Sequence, residues 1–270
     1  NIHNIDSRQL YIGMDIGTAK PTKEQQLRVK HYLLNLCHPN EPITLHEFKE
    51  KASFSLKKSL KDKDMGILVG GSGLYLKALT GGLEPPSVGP QKSLRNQLKK
   101  IDQIECHRLL ECCDPITAAK VAPSDSVRTI RALEVFYATG KPISTQQKIN
   151  PPNWNLIELG LDPQDLNERI SKRTHKMFEN GLIEETERLI KKYGINLPLL
   201  KTIGYQEALY IIKGKITTSE AIAITNQRTK NFAKRQRTWF KKQHSPKWLN
   251  DQEPFQESIA LIQEVIASSK

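Results

Sequence analysis

The spacing of apolar residues divides the first part of the chain into strands, helices and a polar loop. Residues 2–5 end a short apolar segment, and residues 65–69 form a continuous apolar run, typical of a parallel strand buried on both faces. Apolar positions recur every three or four residues from 44 to 60, which predicts a helix, and a shorter helix is predicted within 24–35. Residues 13–21 show neither period, so we expect an ordered polar loop there.

The middle of the chain reads as a separate helical section. The turn-rich segment 81–86 is where we expect the chain to leave the core. The pattern from 91 to 139 is helical with no strand candidate. We therefore predict an all-helical insertion at 84–152 between two core segments, 1–83 and 153–270. Together with the strand at 65–69, this predicts the α/β class with a parallel sheet.

The remaining pattern predicts further helices and one strand. A helix that starts after Ser124-Asp125 should end at Gly140, a fitting C-cap. Residues 155–161 alternate, which indicates a return of the chain to the sheet. The stretch 165–192 is helical with a possible interruption at Gly181, and helices dominate from Gly204 to Lys242.

Charge and cysteine content narrow the functional class. The 270 residues contain 41 Lys and Arg against 29 Asp and Glu, a net charge of +12, which favours a polyanion such as nucleic acid, although solubility alone is the alternative. The four cysteines form no C-x-x-C pair, so a zinc site is not expected, and reduced thiols in a cytoplasmic protein are the simplest interpretation. No apolar run is long enough for a membrane span, and no signal peptide is visible.

Two loops carry candidate chemistry. Asp6-Ser7-Arg8-Gln9 follows the first strand, where a carboxylate is well placed for chemistry because ligands bind beyond the carboxyl ends of parallel strands. Asp6 and Ser7 could equally cap a helix. The second loop, Gly70-Gly71-Ser72-Gly73, lies between a strand and a helix, a layout that lets backbone N–H groups approach an anion, but a tight turn is the commoner reason for such a sequence.

The segment Arg228–Lys242 contains seven basic residues and no acidic one. Four of them share one face of a helix, a basic stripe that suits phosphate contact: Lys230, Lys234, Arg237 and Lys241. Phe232 and Trp239 fall on the opposite side, where we expect them to anchor the helix in the core. A solvated charged face is the alternative interpretation.

The segment D-S-R-Q-L-Y-I-G-M-D-I-G-T-A-K-P resembles the one that follows the P-loop in tRNA dimethylallyltransferases. G-G-S-G-L-Y, V-R-T-I-R, K-T-I-G-Y-Q and the basic segment agree with that family at compatible spacings. The resemblance implies a P-loop NTPase-like parallel-sheet core with a helical insertion. It also implies transfer of a dimethylallyl group from dimethylallyl diphosphate to N6 of an adenine at position 37, next to the anticodon of tRNA.

The resemblance assigns roles to individual residues. Asp6 would act as the general base, and the Ser72 hydroxyl would contact the target nucleotide; both are predicted to be catalytic. Asp15, the other carboxylate nearby, is interpreted as structural. Arg173, with Arg169 four residues before it on the same helix face, would bind the diphosphate, although an ordinary solvated face is the alternative. Mg²⁺ is the expected cofactor, with no protein ligand identified.

Binding of the tRNA anticodon stem-loop is predicted for residues in all sections of the chain. Gln9 could help to read the displaced base. The predicted contacts are Asp6, Ser7, Arg8, Gln9, Ser72, Arg95, Val127, Arg128, Thr129, Ile130, Arg131, Lys201, Thr202, Ile203, Gly204, Tyr205, Gln206, Lys230, Lys234, Arg235, Arg237 and Lys241.

The family has a strand and a G-x-x-x-x-G-K-[ST] loop before the point where this sequence begins. For the 270 residues alone we therefore expect weak tRNA binding, ready aggregation and no measurable prenyl transfer, since that loop and Mg²⁺ carry most diphosphate binding. A tRNA-binding module without activity is the main alternative function, and a P-loop nucleotide kinase is a second. We expect a monomer that does not contact membranes.

Overall fold

The computed structural model describes residues 1–63 and 65–268. Its central sheet has three parallel strands, β1 (Ile2–Asn4), β2 (His31–Tyr32) and β3 (Ile67–Val69), in the order β2-β1-β3. Ile2 pairs with Ile67 and Asn4 with Val69. Because β1 and β3 are parallel and in register, the residues that follow them, Asp6 and Gly70, emerge at the same edge of the sheet.

The other strands form two short pairs. β4 (Leu83–Glu84) pairs antiparallel with β5 (Lys148–Ile149), and β6 (Leu159–Gly160) pairs parallel with β7 (Lys247–Trp248). The helices are α1 (Lys23–Arg28), α2 (Leu45–Lys63), α3 (Gly73–Leu79), α4 (Lys92–Leu98), α5 (Gln103–Cys113), α6 (Pro115–Ala118), α7 (Ser126–Thr139), α8 (Ile143–Gln146), α9 (Leu166–Glu179), α10 (Leu182–Tyr193), α11 (Tyr205–Ile212), α12 (Thr218–Gln243) and α13 (Pro254–Ser268), with a 3-10 turn at Pro198–Lys201.

The chain divides into two compact units. One takes in residues 1–43, 50–77 and 153–268 as far as they are described, and the other takes in 44–49 and 78–152. The second unit therefore contains the predicted insertion, and its core is formed by α4–α8 around Leu110, Leu133 and Val135. As predicted, no strand interrupts 91–139, but β4 and β5 join the two ends of this section, so it is not wholly helical.

The core of the first unit packs the polar loop against the C-terminal helices. Tyr11 and Met14 from the loop are buried with Leu182, Tyr205 and Leu209 of α10 and α11. The expected ordered loop is confirmed, and it is anchored by burial of these side chains as well as by hydrogen bonds.

Helix boundaries follow the predicted signals in several places. Asp125 accepts from the Arg128 N–H at the start of α7, and Gly140 ends this helix in the left-handed conformation with φ 69°. Gly181, with φ 97°, separates α9 from α10, which confirms the predicted interruption.

Two predictions about strands were wrong, and one helix is shorter than the predicted range. The helix predicted within 24–35 is present as α1, but it ends at Arg28 because Val29 is extended and His31–Tyr32 pair with β1. β3 is not buried on both faces: Ile67 and Val69 are about half exposed, since within the described residues β3 pairs with β1 alone. The segment 155–161 does not rejoin the central sheet, because β6 pairs with β7.

Candidate functional site

Asp6 and Ser72 lie together at the carboxyl edge of the sheet. The Ile5 N–H donates to the Val69 carbonyl at 2.8 Å, which extends the pairing of β1 with β3 by one residue. Beyond it, the Ser7 N–H donates to the Ser72 hydroxyl oxygen at 3.0 Å. The two predicted catalytic residues, far apart in the chain, are therefore on adjoining turns.

Asp6 is held by a local turn and does not cap a helix. One carboxylate oxygen, Oδ1, accepts from the Arg8 N–H at 2.8 Å, and the Asp6 N–H donates to the Asn4 side chain at 3.0 Å. Residues 7–10 form a turn, so the alternative of a helix cap is wrong here. Asp6 is half-buried, so its carboxylate is accessible from this edge of the sheet.

Tyr75 is a second titratable group near this edge. Its burial, together with Tyr11, raises the pKa of the Tyr75 hydroxyl to about 12. The phenol is thus protonated at neutral pH and does not act as a base there.

The loop that follows Asp6 is fixed by two buried charges. The carboxylate of Glu185, on α10, accepts from the N–H groups of Asp15, Ile16 and Gly17 at 3.0–3.2 Å and from the Tyr205 hydroxyl at 2.6 Å. A Cβ at Gly17 would lie 2.5 Å from the Tyr205 ring, so only glycine fits there. Burial and the Glu185 charge both raise the pKa of Tyr205, whose hydroxyl stays a donor.

Lys20 is the second buried charge. Its ammonium group donates to the Tyr11 carbonyl, Asp15 Oδ1 and Asn35 Oδ1 at 2.6–2.7 Å, and its side chain is 2% exposed. The structural interpretation of Asp15 agrees with this ion pair. Gln9 donates to the carbonyls of Thr18 and Ala19 at 3.1 Å, so its amide nitrogen closes the loop and its carbonyl oxygen is the atom left to read a base.

Helix α12 holds the predicted substrate segment 201–206. The Arg228 guanidinium donates to the side chains of Gln206, at 2.7 Å, and of Glu207, which is buried. Glu207 in turn accepts from the Gly204 N–H at 2.7 Å. Lys201 is exposed and Thr202 and Ile203 are half-buried, so these three can still contact a ligand. The Tyr205 side chain is completely buried, and tRNA contact by this residue stays a prediction.

In the second unit, Arg95 and Arg131 both bind the buried carboxylate of Glu134. Arg95 makes two hydrogen bonds to it, at 2.7 and 2.8 Å, and Arg131 makes one at 2.5 Å. Burial alone would raise the pKa of Glu134, but these bonds and the Gln91 N–H outweigh it and lower the pKa to about 2. RNA contact by the two arginines stays a prediction, and their bonds to Glu134 leave fewer N–H donors for a phosphate.

The neighbouring residues of α7 separate into exposed and buried positions. Val127 and Arg128, on its first turn, are exposed and available to a partner. Thr129 and Ile130 are buried in the unit, and tRNA contact by these two residues stays a prediction.

The four residues of the predicted basic stripe, Lys230, Lys234, Arg237 and Lys241, are all exposed, as is Arg235. Arg237 is partly neutralised, because it donates to Asp162 at 2.5 Å. Phe232 was expected in the core and is 44% exposed, with Arg235 stacked over its ring; that prediction was wrong. Trp239 is the anchor, since its indole lies against Gly73.

Arg169 and Arg173 share a face of α9, as their spacing predicted. Arg169 is exposed and donates to Asp165 at 2.6 Å. Arg173 is also exposed. Nothing within the described part of the first unit fixes their guanidinium groups toward Asp6 or Ser72, so diphosphate binding stays a prediction.

The sequence analysis did not identify four residues that hold the segments of the candidate site by hydrogen bonds: Glu185, Glu207, Arg228 and Gln236. The signal for Glu185 was its spacing: Leu182, Glu185 and Leu189 fall on one face of α10, so an acid lies on an apolar stripe. Arg228 follows Ala221 and Thr225 on the buried face of α12 in the same way.

The described residues, 1–63 and 65–268, contain neither a metal-binding cluster of His, Cys, Asp or Glu nor a membrane-spanning helix. No three His, Cys, Asp or Glu side chains in these ranges are grouped so that they could hold a metal ion. Within the same ranges no helix has the length and apolarity that a membrane span requires.

The sequence is similar to a known family model and to curated proteins that share one name. The family model described as IPP transferase matches residues 9–243. A tRNA dimethylallyltransferase from a strain of Prochlorococcus marinus is 60% identical over 266 residues, which cover 98% of this chain and 89% of the relative. One from a strain of Synechococcus is 56% identical, covering 97% of this chain and 88% of the relative.

Solved structures have the same architecture. The full-length tRNA isopentenylpyrophosphate transferase of Bacillus halodurans is similar with a TM-score of 0.69 and 30% identity, covering 99% of this chain and 87% of that one. A eukaryotic dimethylallyltransferase acting on tRNA has a TM-score of 0.81 over 99% of this chain and 73% of that one. At 24% identity, this second likeness shows the fold alone.

The predicted P-loop-like α/β fold is thereby confirmed, and these matches define a prenyltransferase enzyme. The chain belongs to the IPP transferase family. Its curated relatives are named tRNA dimethylallyltransferase.

The first prediction concerns Glu185. Glu185→Gln places an NH₂ donor among the loop N–H groups, and we expect a loss of unfolding free energy on the order of 3 kcal/mol, since buried donors lose their acceptor. Chemical denaturation measures it. Glu184→Gln, the adjacent acid, is the control and should change stability little. Equal stability of the two variants would contradict the assigned role.

The second prediction concerns Glu134 and pH. Its pKa is lowered from 4.5 to about 2, so its contribution to stability is present above pH 4.5 and is lost as the pH falls to about 2. The Tm difference between wild type and Glu134→Gln should therefore be large at pH 6 and shrink toward pH 2. Glu105→Gln, in an exposed pair with Arg108, should cost under about 1 kcal/mol. A pH-independent difference for Glu134→Gln would refute the assignment.

Proposed function

We propose that this protein transfers a dimethylallyl group from dimethylallyl diphosphate to N6 of adenine 37 of tRNA, with Asp6 as general base. The supporting observation is the position of Asp6 and Ser72 on adjoining turns at the carboxyl edge of the sheet, in a chain of the IPP transferase family. The curated relatives' names support tRNA as the substrate.

The proposed step is a substitution at carbon 1 of the prenyl group. The exocyclic amine of adenine is a poor nucleophile, because its lone pair is delocalised into the ring. As the carbon–nitrogen bond forms, the Asp6 carboxylate accepts a proton from N6, and the carbon–oxygen bond to diphosphate breaks with its electron pair. The Ser72 hydroxyl, which accepts from the Ser7 N–H, would donate its own hydrogen to the nucleotide.

The leaving diphosphate requires positive charge. We assign Arg173 and Arg169 to it, because cationic side chains stabilise negative charge that develops on a leaving group in the transition state. Mg²⁺ is proposed to accompany the diphosphate, since this ion keeps several waters and commonly binds through substrate phosphates. The described residues hold no group of three ligands for it, and no step here depends on the ion.

The adenine must leave its stack before it can reach Asp6. Gln9 is proposed to read the displaced base through its carbonyl oxygen, because its amide nitrogen is used within the loop. The exposed basic residues of α12, with Lys201 and Arg128, are proposed to contact tRNA phosphates. A monomeric state and a cytoplasmic location also stay predictions.

The alternative functions differ in what happens to tRNA and to free nucleotide. A binding-only module would retain tRNA without modifying it, and a nucleotide kinase would phosphorylate free nucleotide and ignore tRNA. Incubation of the full-length gene product with radiolabelled dimethylallyl diphosphate and unmodified tRNA separates the proposed function from both alternatives, because only prenyl transfer places label in the RNA. Phosphorylation of free nucleotide then separates a kinase from a binding module. Label in tRNA lacking adenine 37 would contradict the proposed position.

The third prediction concerns Asp6. In the full-length gene product, Asp6→Asn should leave tRNA affinity nearly unchanged and lower the single-turnover rate by about 10² to 10⁴, the usual share of general-base catalysis. Rapid-quench measurement at saturating substrates gives this rate. Asp15→Asn is a control for local charge, and its main effect should be on stability because Asp15 pairs with Lys20. A rate for Asp6→Asn above a tenth of wild type would exclude Asp6 as the base.

The fourth prediction concerns the basic face. Replacing Lys230, Lys234 and Lys241 by Ala should weaken tRNA binding and reduce the log–log salt slope by a little under one unit per lost phosphate contact. The matched control replaces three exposed lysines of α2, Lys57, Lys58 and Lys61, and removes the same charge. Equal slopes for the two triple variants would show that only net charge matters and that this face does not bind RNA.

A further inference from the structure

Helix α12 is bonded to the glycine-rich turn through one side chain. The Gln236 Nε2 atom donates to the Gly71 carbonyl at 2.8 Å. The two residues are 165 positions apart, so this bond joins the end of β3 to a helix near the end of the chain. A Cβ at Gly71 would lie 2.1 Å from the same Nε2 atom, so the close approach depends on glycine.

Two further contacts enclose the turn. On one side, Gly70 lies against the end of β1, where an added Cβ would be 2.6 Å from the Ile5 carbonyl carbon. On the other side, Gly73 lies against the Trp239 indole, where an added Cβ would be 2.0 Å from Nε1. That indole nitrogen is buried without a hydrogen-bond partner among the described residues, so Trp239 contributes packing and Gln236 contributes the directional bond.

We infer that Gln236 is a positioning residue for Ser72, an inference that rests on the proposed function. The peptide group between Gly71 and Ser72 carries the carbonyl that Gln236 binds, so this bond fixes the plane from which the Ser72 side chain projects. The Ser72 hydroxyl is then in place to accept from the Ser7 N–H beside Asp6. Gln236 does not itself touch the reacting atoms.

The positioning role accounts for the amide of Gln236, which the basic character of the surrounding residues of α12 does not explain. Gln236 is a half-buried, uncharged residue among Lys234, Arg235 and Arg237. A helix that only supplied positive charge would gain nothing from an amide there. An amide supplies the N–H donor that the Gly71 carbonyl requires, and it does so without burying a charge beside the turn.

The test compares Gln236→Met, which keeps the volume and removes the donor, with Gln243→Met. Gln243 is on the same helix and accepts from the exposed Lys77 side chain at 2.6 Å, so it is a matched control. Hydrogen–deuterium exchange of the peptide spanning residues 70–76 reports on the turn, and single-turnover prenyl transfer by the full-length gene product reports on the site. We expect faster exchange and a rate about tenfold lower for Gln236→Met, because small displacements of positioning groups are costly, and no change in either for Gln243→Met.

Gln236→Glu sharpens the comparison, since a carboxylate facing the Gly71 carbonyl repels it and should lower the rate further at neutral pH. The decisive readout is non-additivity. If Gln236 acts through Ser72, then Gln236→Met should lower the rate of a Ser72→Ala variant hardly at all, because the group it positions is gone. A purely structural residue would instead reduce both backgrounds alike and lower the Tm.

Unchanged exchange in the turn, or effects of Gln236→Met and Ser72→Ala that multiply, would overturn the inference. Faster exchange with an unchanged rate would also overturn it, because the bond would then stabilise the turn without serving the reaction. If wild-type protein prenylates no tRNA, the proposed function fails, and the exchange comparison alone decides whether Gln236 fixes the turn.

Discussion

The packing of the first unit depends on the hydrogen bonds that the buried carboxylate of Glu185 accepts. Three consecutive N–H groups of the loop and the Tyr205 hydroxyl all point at one charge, so the loop, α10 and α11 are held at a single point. Such a carboxylate is stable in the interior only when its oxygens are fully hydrogen-bonded. The Asp6 turn precedes this loop in the chain and is held separately, by the Asn4 side chain and the Arg8 N–H.

The candidate site combines segments from the first third and the last third of the sequence. Parallel pairing of β1 with β3 brings Asp6 near Ser72, and α12 then fixes the surrounding segments through Arg228 and Gln236. The inner side of α12 therefore carries side chains that hydrogen-bond to these segments, while its outer side carries exposed lysines. One helix of 26 residues can serve both purposes because its periodicity separates the two sets of side chains.

Local signals in the sequence were sufficient for much of the fold, and long-range pairing was not. The caps of α7 and the break at Gly181 follow from residue types whose backbone preferences are intrinsic. The partner of β6 and the exposure of Ile67 depend on which distant segment lies alongside, which periodicity does not encode. The same limit applies to the candidate site: Asp6 and Ser72 were predicted from their motifs, but an arginine or glutamine that bonds to a distant segment looks in sequence like any other polar residue.

The enclosure of Lys20 has a consequence for chemical probing. An amine bonded to three oxygens and only 2% exposed is shielded from acylating reagents as long as the loop stays closed. Exposed lysines, such as those of α12, react at all times. The modification rate of Lys20 relative to theirs is therefore a built-in reporter of how often the polar loop opens, readable by mass spectrometry without any label introduced into the protein.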